Sequence, residues 1–224
     1  MLMDEMDYIQ HWNYFCLLAK QLDQTKDFVY HGAINYDGEN IELIHGNVYS
    51  DIFKQIIFSA CAEFEILSRA VCNYHGISAR NVVDFSSMLL KLYPKIIDTE
   101  IYTFFWRGFP LKNWCIDLTK ADHKVSGIEW WDAYSEMKHD ETNSYIKATL
   151  NNAIMSLGSL YIIHLYLMFE EFGDLGLLKT YPTVYFNCKY EPAYVYAAEG
   201  KLPDFGNKST VEVYKEQFES LNEK

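Results

Sequence analysis

The sequence predicts an all-α protein: an antiparallel bundle of about five helices with a Tyr-rich, partly extended C-terminal segment. Three observations carry this. Apolar residues recur at helical spacing through most of the first 173 positions. The stretch from Ala148 to Phe169 contains no charged residue, as expected of a central helix buried on all sides. Beyond Gly173 that periodicity gives way to Tyr- and Val-rich runs. Residues 1–173 are therefore read as the bundle and 174–224 as an extension packed on it.

The elements follow in order. Trp12, Phe15, Cys16, Ala19 and Leu22 mark a first helix within Tyr8 to Tyr30. A turn-rich loop with Gly32, Asn35, Asp37, Gly38 and Asn40 comes next, and Ile41 to Gly46 suits a short extended piece. Ser50-Asp51 has the chemistry of a helix start, a hydroxyl for an orphan N–H and a carboxylate for the positive helix end. That second helix is expected to reach Tyr74, with Gly76 ending it. Its apolar face comprises Ile52, Phe53, Ile56, Ile57, Ala60, Cys61, Phe64, Leu67 and Val71.

A third helix is expected from Val82 to Tyr93, closed by Pro94. Glu100 to Trp114 is aromatic-rich and reads as an irregular connection with some local structure, packed on the bundle. Glu129 to Lys138 forms a fourth helix and Ser144 to Phe172 a fifth, with Thr142, Asn143 or Ser144 as its cap. Strands or an extended arm are expected at Tyr181–Phe186 and Tyr194–Tyr196, and a short helix at Val211–Leu221.

Composition narrows the classes of function. A formal net charge of −12 opposes broad, non-specific nucleic-acid binding, which needs a field of Lys and Arg. The cysteines Cys16, Cys61, Cys72, Cys115 and Cys188 form no Cys-x-x-Cys pair, which points to reduced thiols in a cytoplasmic protein. No His/Cys cluster has zinc-ligand spacing, and no cofactor or metal is expected. The N-terminus is acidic where a secretory leader is basic, so no signal peptide is expected. Ala148–Phe169 is long enough to span a bilayer, but its inserted Thr, Asn, Ser and His residues and its flanks, Lys147 and Glu170-Glu171, favour a buried helix over a membrane segment.

Ionisable groups gather most closely at the end of the fourth helix, in Trp131-Asp132-Ala133-Tyr134-Ser135-Glu136-Met137-Lys138-His139-Asp140. Four-residue spacing sets Tyr134 beside Lys138 and Ser135 beside His139. An imidazole can shuttle protons and an ammonium can neutralise a phosphate. The plain structural alternative is that Lys138 and His139 complement the negative end of the helix dipole. Glu63 and Glu65 are candidates to pair with Lys138 or His139 and, in doing so, to orient the imidazole. His164, alone in the apolar helix, reads as a hydrogen-bonded core residue.

The pattern Trp-x-x-Tyr-Ser-x-x-Lys-His-Asp, followed by a long Ala/Leu/Asn/Ser-rich helix, resembles HEPN-type helical-bundle proteins. So does the stretch from Val48-Tyr49-Ser50 to Cys61-Ala62-Glu63-Phe64-Glu65, which is similar to the paired helix of uncharacterised bacterial members. The likeness covers about Val48 to Phe172. It implies a metal-independent endoribonuclease of a toxin–antitoxin or phage-defence system, acting as a homodimer on RNA. His139 takes the place of the family His and Ser135 that of the polar residue. Tyr134 stands where the family has Arg, which leaves Lys138, or Arg69 or Arg107 from elsewhere in the fold, to supply positive charge. Glu63 and Asp140 are the supporting carboxylates. The alternative that the same departure implies is a non-catalytic module that dimerises or binds a partner protein, such as a nucleotidyltransferase or an effector subunit.

Overall fold

The computed structural model describes residues 5–34, 42–103, 107–117, 124–140, 144–172 and 187–188. Within them, five α-helices dominate: α1 (Glu5–Gln24), α2 (Asp51–Tyr74), α3 (Val82–Leu92), α4 (Glu129–His139) and α5 (Leu150–Phe172). The expected strands and helix at 181–186, 194–196 and 211–221 lie outside the described residues, as does nearly all of the proposed C-terminal extension.

Helix α2 begins where its sequence says it should. The Ser50 hydroxyl accepts the Phe53 N–H at 3.2 Å, and Asp51 occupies the first turn. It ends at Gly76, whose φ of 74° lets the chain leave the helix. Asn81 caps α3 in the same way, accepting from the Asp84 N–H at 3.0 Å.

Helix α2 is the hub, packed against α1, α3, α4 and α5, with its most extensive contact to α5. Phe64 lies at the centre, fully buried, its ring between 5.3 and 6.2 Å from those of Phe85, Trp114, Trp130 and Trp131. Rings so placed bury large apolar areas, with Phe85 and Trp130 edge to face on Phe64, so truncating Phe64 to Ala is expected to cost about 3–5 kcal/mol. Ile52, expected on the core face of α2, is instead 48% exposed. It occupies the first turn of the helix, where the chain is still approaching the bundle.

The antiparallel expectation fails for the central pair. Tyr49 and Thr149 form an isolated β-bridge, with the Ser50 N–H donating to the Ala148 carbonyl (3.2 Å) and the Leu150 N–H to the Val48 carbonyl (2.8 Å). Helices α2 and α5 therefore set out side by side from one end of the molecule and run in the same direction. Helices α1 and α4 oppose them. Trp12 and Phe15 of α1 meet Tyr161 of α5, while Tyr8 meets His164. Trp131 and Tyr134 of α4 meet Phe64 and Phe58 of α2 in reverse order.

The same bridge displaces the start of α5. Residues 145–147 form a 3₁₀ turn, and the cap is Thr149, whose hydroxyl accepts the Asn152 N–H at 3.2 Å. Pairing with residues 48–50 pulls the backbone out of the helix that Ser144 would have begun.

Short strands occupy the connections. β1 (Ala33–Ile34) pairs antiparallel with β2 (Glu42–Leu43), in agreement with the extended piece expected there. The aromatic-rich connection holds β3 (Ile101–Tyr102) and β4 (Arg107–Gly108), with β7 (Asn187–Cys188) on the other edge of β3. β5 (Cys115–Asp117) and β6 (Lys124–Ser126) form a third ladder, which packs on α3.

Gly158 lets the aromatic-rich connection lie close on α5. A Cβ there would stand 2.2 Å from Cδ1 of the fully buried Ile101 and 3.2 Å from Cγ of Pro110. From Ala148 to Met168, α5 and its approach show many fully buried positions, and no helix among the described residues is long and apolar enough to cross a membrane.

Candidate functional site

Helix α4 has a sharply divided surface. Trp130, Trp131, Ala133, Tyr134 and Met137 are buried, while Lys138, His139 and Asp140 are exposed and Ser135 is intermediate. The spacing of the buried residues produces this, since each successive residue turns about 100° around a helix. The Trp130 indole N–H donates to the Pro110 carbonyl at 3.1 Å, which fixes the start of α4 against the aromatic-rich connection. At the other end Lys147 pairs with Glu136, joining the 3₁₀ turn to α4.

Of the six residues singled out by the sequence, the structure brings Tyr134 and Lys138 into contact. The Lys138 ammonium stands 5.6 Å from the centre of the Tyr134 ring. Tyr134 is 9% exposed and meets Phe58 edge-on at 5.2 Å and Trp131 at 5.4 Å. Burial raises its phenol pKa, with Lys138 acting in the opposite direction. The ring is therefore neutral at ordinary pH and supplies no cation. Ser135 and His139 lie further round the helix, away from this contact.

Glu63 is not at this site. Its carboxylate meets the His11 imidazole of α1 at 2.5 Å, and the expected pairing with Lys138 or His139 does not form. Glu65 pairs with Arg69 one turn along α2, also at 2.5 Å. Asp140 is the residue after α4, its N–H donating to the Glu136 carbonyl at 2.8 Å.

The chain has three arginines, Arg69, Arg80 and Arg107. Arg69 donates to Glu65, to the Ala79 carbonyl (3.0 Å) and to the Arg80 carbonyl (2.9 Å), clamping the turn between α2 and α3. Arg80 belongs to that same turn. It lies past the far end of α2, whereas α4 runs toward the start of α2. Arg107 stands on β4, 3.9 Å from Glu100. None of the three completes the motif at His139 within one copy of the chain.

A cleft of about 240 Å³ lies between residues 109–113, the start of α4 and the start of α5. It contains none of the six sequence-derived residues and is smaller than the roughly 300–1,000 Å³ typical of small-molecule sites. No group of three or more His, Cys, Asp or Glu among the described residues could hold a metal ion. His164 is buried as expected but, against expectation, neither ring nitrogen has a hydrogen-bond partner.

Sequence reasoning missed an exposed apolar surface beside this helix end. Val48, Tyr49, Ile52 and Ile146 are 39%, 49%, 48% and 61% exposed. Tyr49 meets the Tyr145 ring edge-on at 5.6 Å, and Lys54 reaches from the Tyr145 ring to that of Phe58, which packs on Tyr134. The available signal was Ile52 itself, an apolar residue on the first turn of a helix whose core stripe was already complete without it.

Compared with known proteins, the chain matches no family model, no curated protein and no solved structure.

Proposed function

We propose that this chain is a HEPN-like helical bundle working as a non-catalytic interaction module, and that it self-associates through the apolar surface formed by Val48, Tyr49, Ile52 and Ile146. One observation carries the reading: a buried, neutral Tyr134 holds the position of the motif cation, and the three arginines stand elsewhere. Charge at the transferring phosphate is what such a site must stabilise, and a phenol does not supply it. The exposed apolar residues support the second half of the reading, since a cluster of them at one end of a molecule marks a surface that another protein covers. The acidic balance of −12 is also unfavourable for holding RNA.

The nuclease reading has one observation in its favour. Lys138 and His139 are adjacent and exposed at a helix end, where an imidazole and an ammonium could meet RNA together.

Incubating the purified chain and its His139→Ala variant with total RNA and tRNA, without added metal, tests the proposal. Neither is expected to cleave, and cleavage by the wild type alone would replace the module with a nuclease. Light scattering on wild type and Ile52→Asp tests association. A mass that drops from dimer to monomer supports the surface, and a wild type that is monomeric at every concentration refutes it.

A further inference from the structure

Helix α2 has a second seam, turned away from the core. Ile52, Gln55, Ser59, Ala62 and Ile66 follow one another at alternating steps of three and four, the spacing that aligns residues along one side of a helix. Ile52 and Ile66 are 48% and 46% exposed, Gln55 and Ala62 are exposed, and Ser59 is half-buried. None of the five is charged, whereas the outer face of a helix is ordinarily rich in charge.

The seam is bordered by core contacts of the same helix. On one side Glu63 turns to His11 of α1, and on the other Phe58 packs on Tyr134 of α4. It runs on from the exposed surface of Val48, Tyr49, Ile52 and Ile146, with Ile52 common to both. Small side chains at its middle, Ser59 and Ala62, let a second helix approach to roughly 8 Å.

Charge identifies that second helix. Asp51, Lys54, Glu65 and Arg69 lie on the flank that holds Phe58, within a sector of about 60° at 100° per residue. Asp51 is exposed and the other three are half-buried. Glu65 and Arg69 bind each other within the chain, and their side chains are still 31% and 34% exposed. The Lys54 ammonium lies over the rings of Phe58 and Tyr145. Along the helix the four signs read minus, plus, minus, plus. Read from the other end they are plus, minus, plus, minus.

We infer that two copies of this chain pair through α2 laid antiparallel on α2, centred on Ser59. In such a pair the same flank of each helix faces the other. Ile52 and Ile66 stand at equal distances to either side of Ser59, and Lys54 with Glu65 and Asp51 with Arg69 at nearly equal ones. Each of these couples therefore meets twice across the twofold axis, apolar with apolar and plus with minus. A parallel copy would set like charges together at all four positions. This pairing rests on the self-association proposed above and gives it a direction and a register.

Light scattering over a concentration series tests it, with circular dichroism checking the fold of each variant. Ile66→Asp, outside the apolar surface proposed above, is expected to weaken association by at least about tenfold. Lys54→Glu and Glu65→Lys should each do the same, since either sets like charges together twice. The double variant Lys54→Glu/Glu65→Lys makes every couple opposite again and should regain most of the wild-type affinity. A wild type that is monomeric at every concentration would overturn both the self-association and the seam. A dimer lost in Ile52→Asp but kept in Ile66→Asp would leave the apolar surface standing and overturn the seam. A double variant no tighter than the single ones would overturn the antiparallel register. Either the apolar or the charge variants decide alone if the others do not fold.

Discussion

The Lys138 ammonium lies over the face of the Tyr134 ring, 5.6 Å from its centre and one helical turn along α4. A cation over an aromatic face at an exposed site contributes about 0.5–1 kcal/mol. The ring contributes far more through its packing on Phe58 and Trp131. Tyr134→Phe is therefore expected to leave the urea midpoint nearly unchanged, and Tyr134→Ala to lower stability by about 3–5 kcal/mol. A large loss in Tyr134→Phe would show that the hydroxyl, rather than the ring, matters most.

His139 is exposed at the end of α4, where a basic side chain can interact with the helix dipole by about 0.3–1 kcal/mol. His139→Ala should shift thermal unfolding by no more than a few degrees. A loss well beyond that would mean that the imidazole has a buried partner.

Thr149 and Ser144 offer a direct comparison. Thr149 caps α5 with its hydroxyl, whereas Ser144 makes no side-chain cap bond to the 3₁₀ turn that follows it. Thr149→Ala is expected to cost about 1 kcal/mol. Ser144→Ala should cost clearly less in the same urea titration. The reverse order would put the start of α5 back at Ser144.

Gly158→Ala sets two effects against each other. Helix propensity favours Ala by about 1 kcal/mol. The new Cβ would press on the buried Ile101, and overpacking typically costs about 1–3 kcal/mol. Net destabilisation is expected. Ile101→Val removes the Cδ1 in the way, so the double variant should be more stable than the sum of the two single changes predicts. Strict additivity would show that the two residues do not press on each other.

Overall stability should fall in mild acid. For His164 and His31 the folded pKa values lie below the unfolded value of about 6.5, so the unfolded chain binds more protons below that pH. Their contribution is complete above about pH 6.5 and is lost as the pH drops toward about 4 for His31 and about 3 for His164. By pH 5 the loss is about 2 kcal/mol for each buried imidazole. Urea titrations at pH 7.5 and 5 measure it, and a midpoint that holds steady would contradict the burial of both rings.

Local chemistry made much of the fold legible. Ser50 and Gly76 bound α2, and the spacing of Trp130, Trp131, Tyr134 and Met137 delimits α4, because caps and periodicity act within a few residues. The start of α5 was not legible, since a bridge to Tyr49 decides it and neither strand carries a pattern that names the other. The parallel course of α2 and α5 was hidden for the same reason. Of the candidate site, the Tyr134–Lys138 contact follows from four-residue spacing. Glu63 turned instead to His11 on α1, because which helices become neighbours is a property of the whole chain.

The Tyr49–Thr149 bridge also has a consequence for how the protein is made. Helix α2 is synthesised well before α5, the helix it packs against most. At roughly 5–20 residues per second, several seconds separate the two. Throughout that interval, the face of α2 that packs on α5 is without its final neighbour on the nascent chain. The bundle's assembly is thus gated by the ribosome, and chaperones that shelter apolar helices have their greatest opportunity before Leu150 is added.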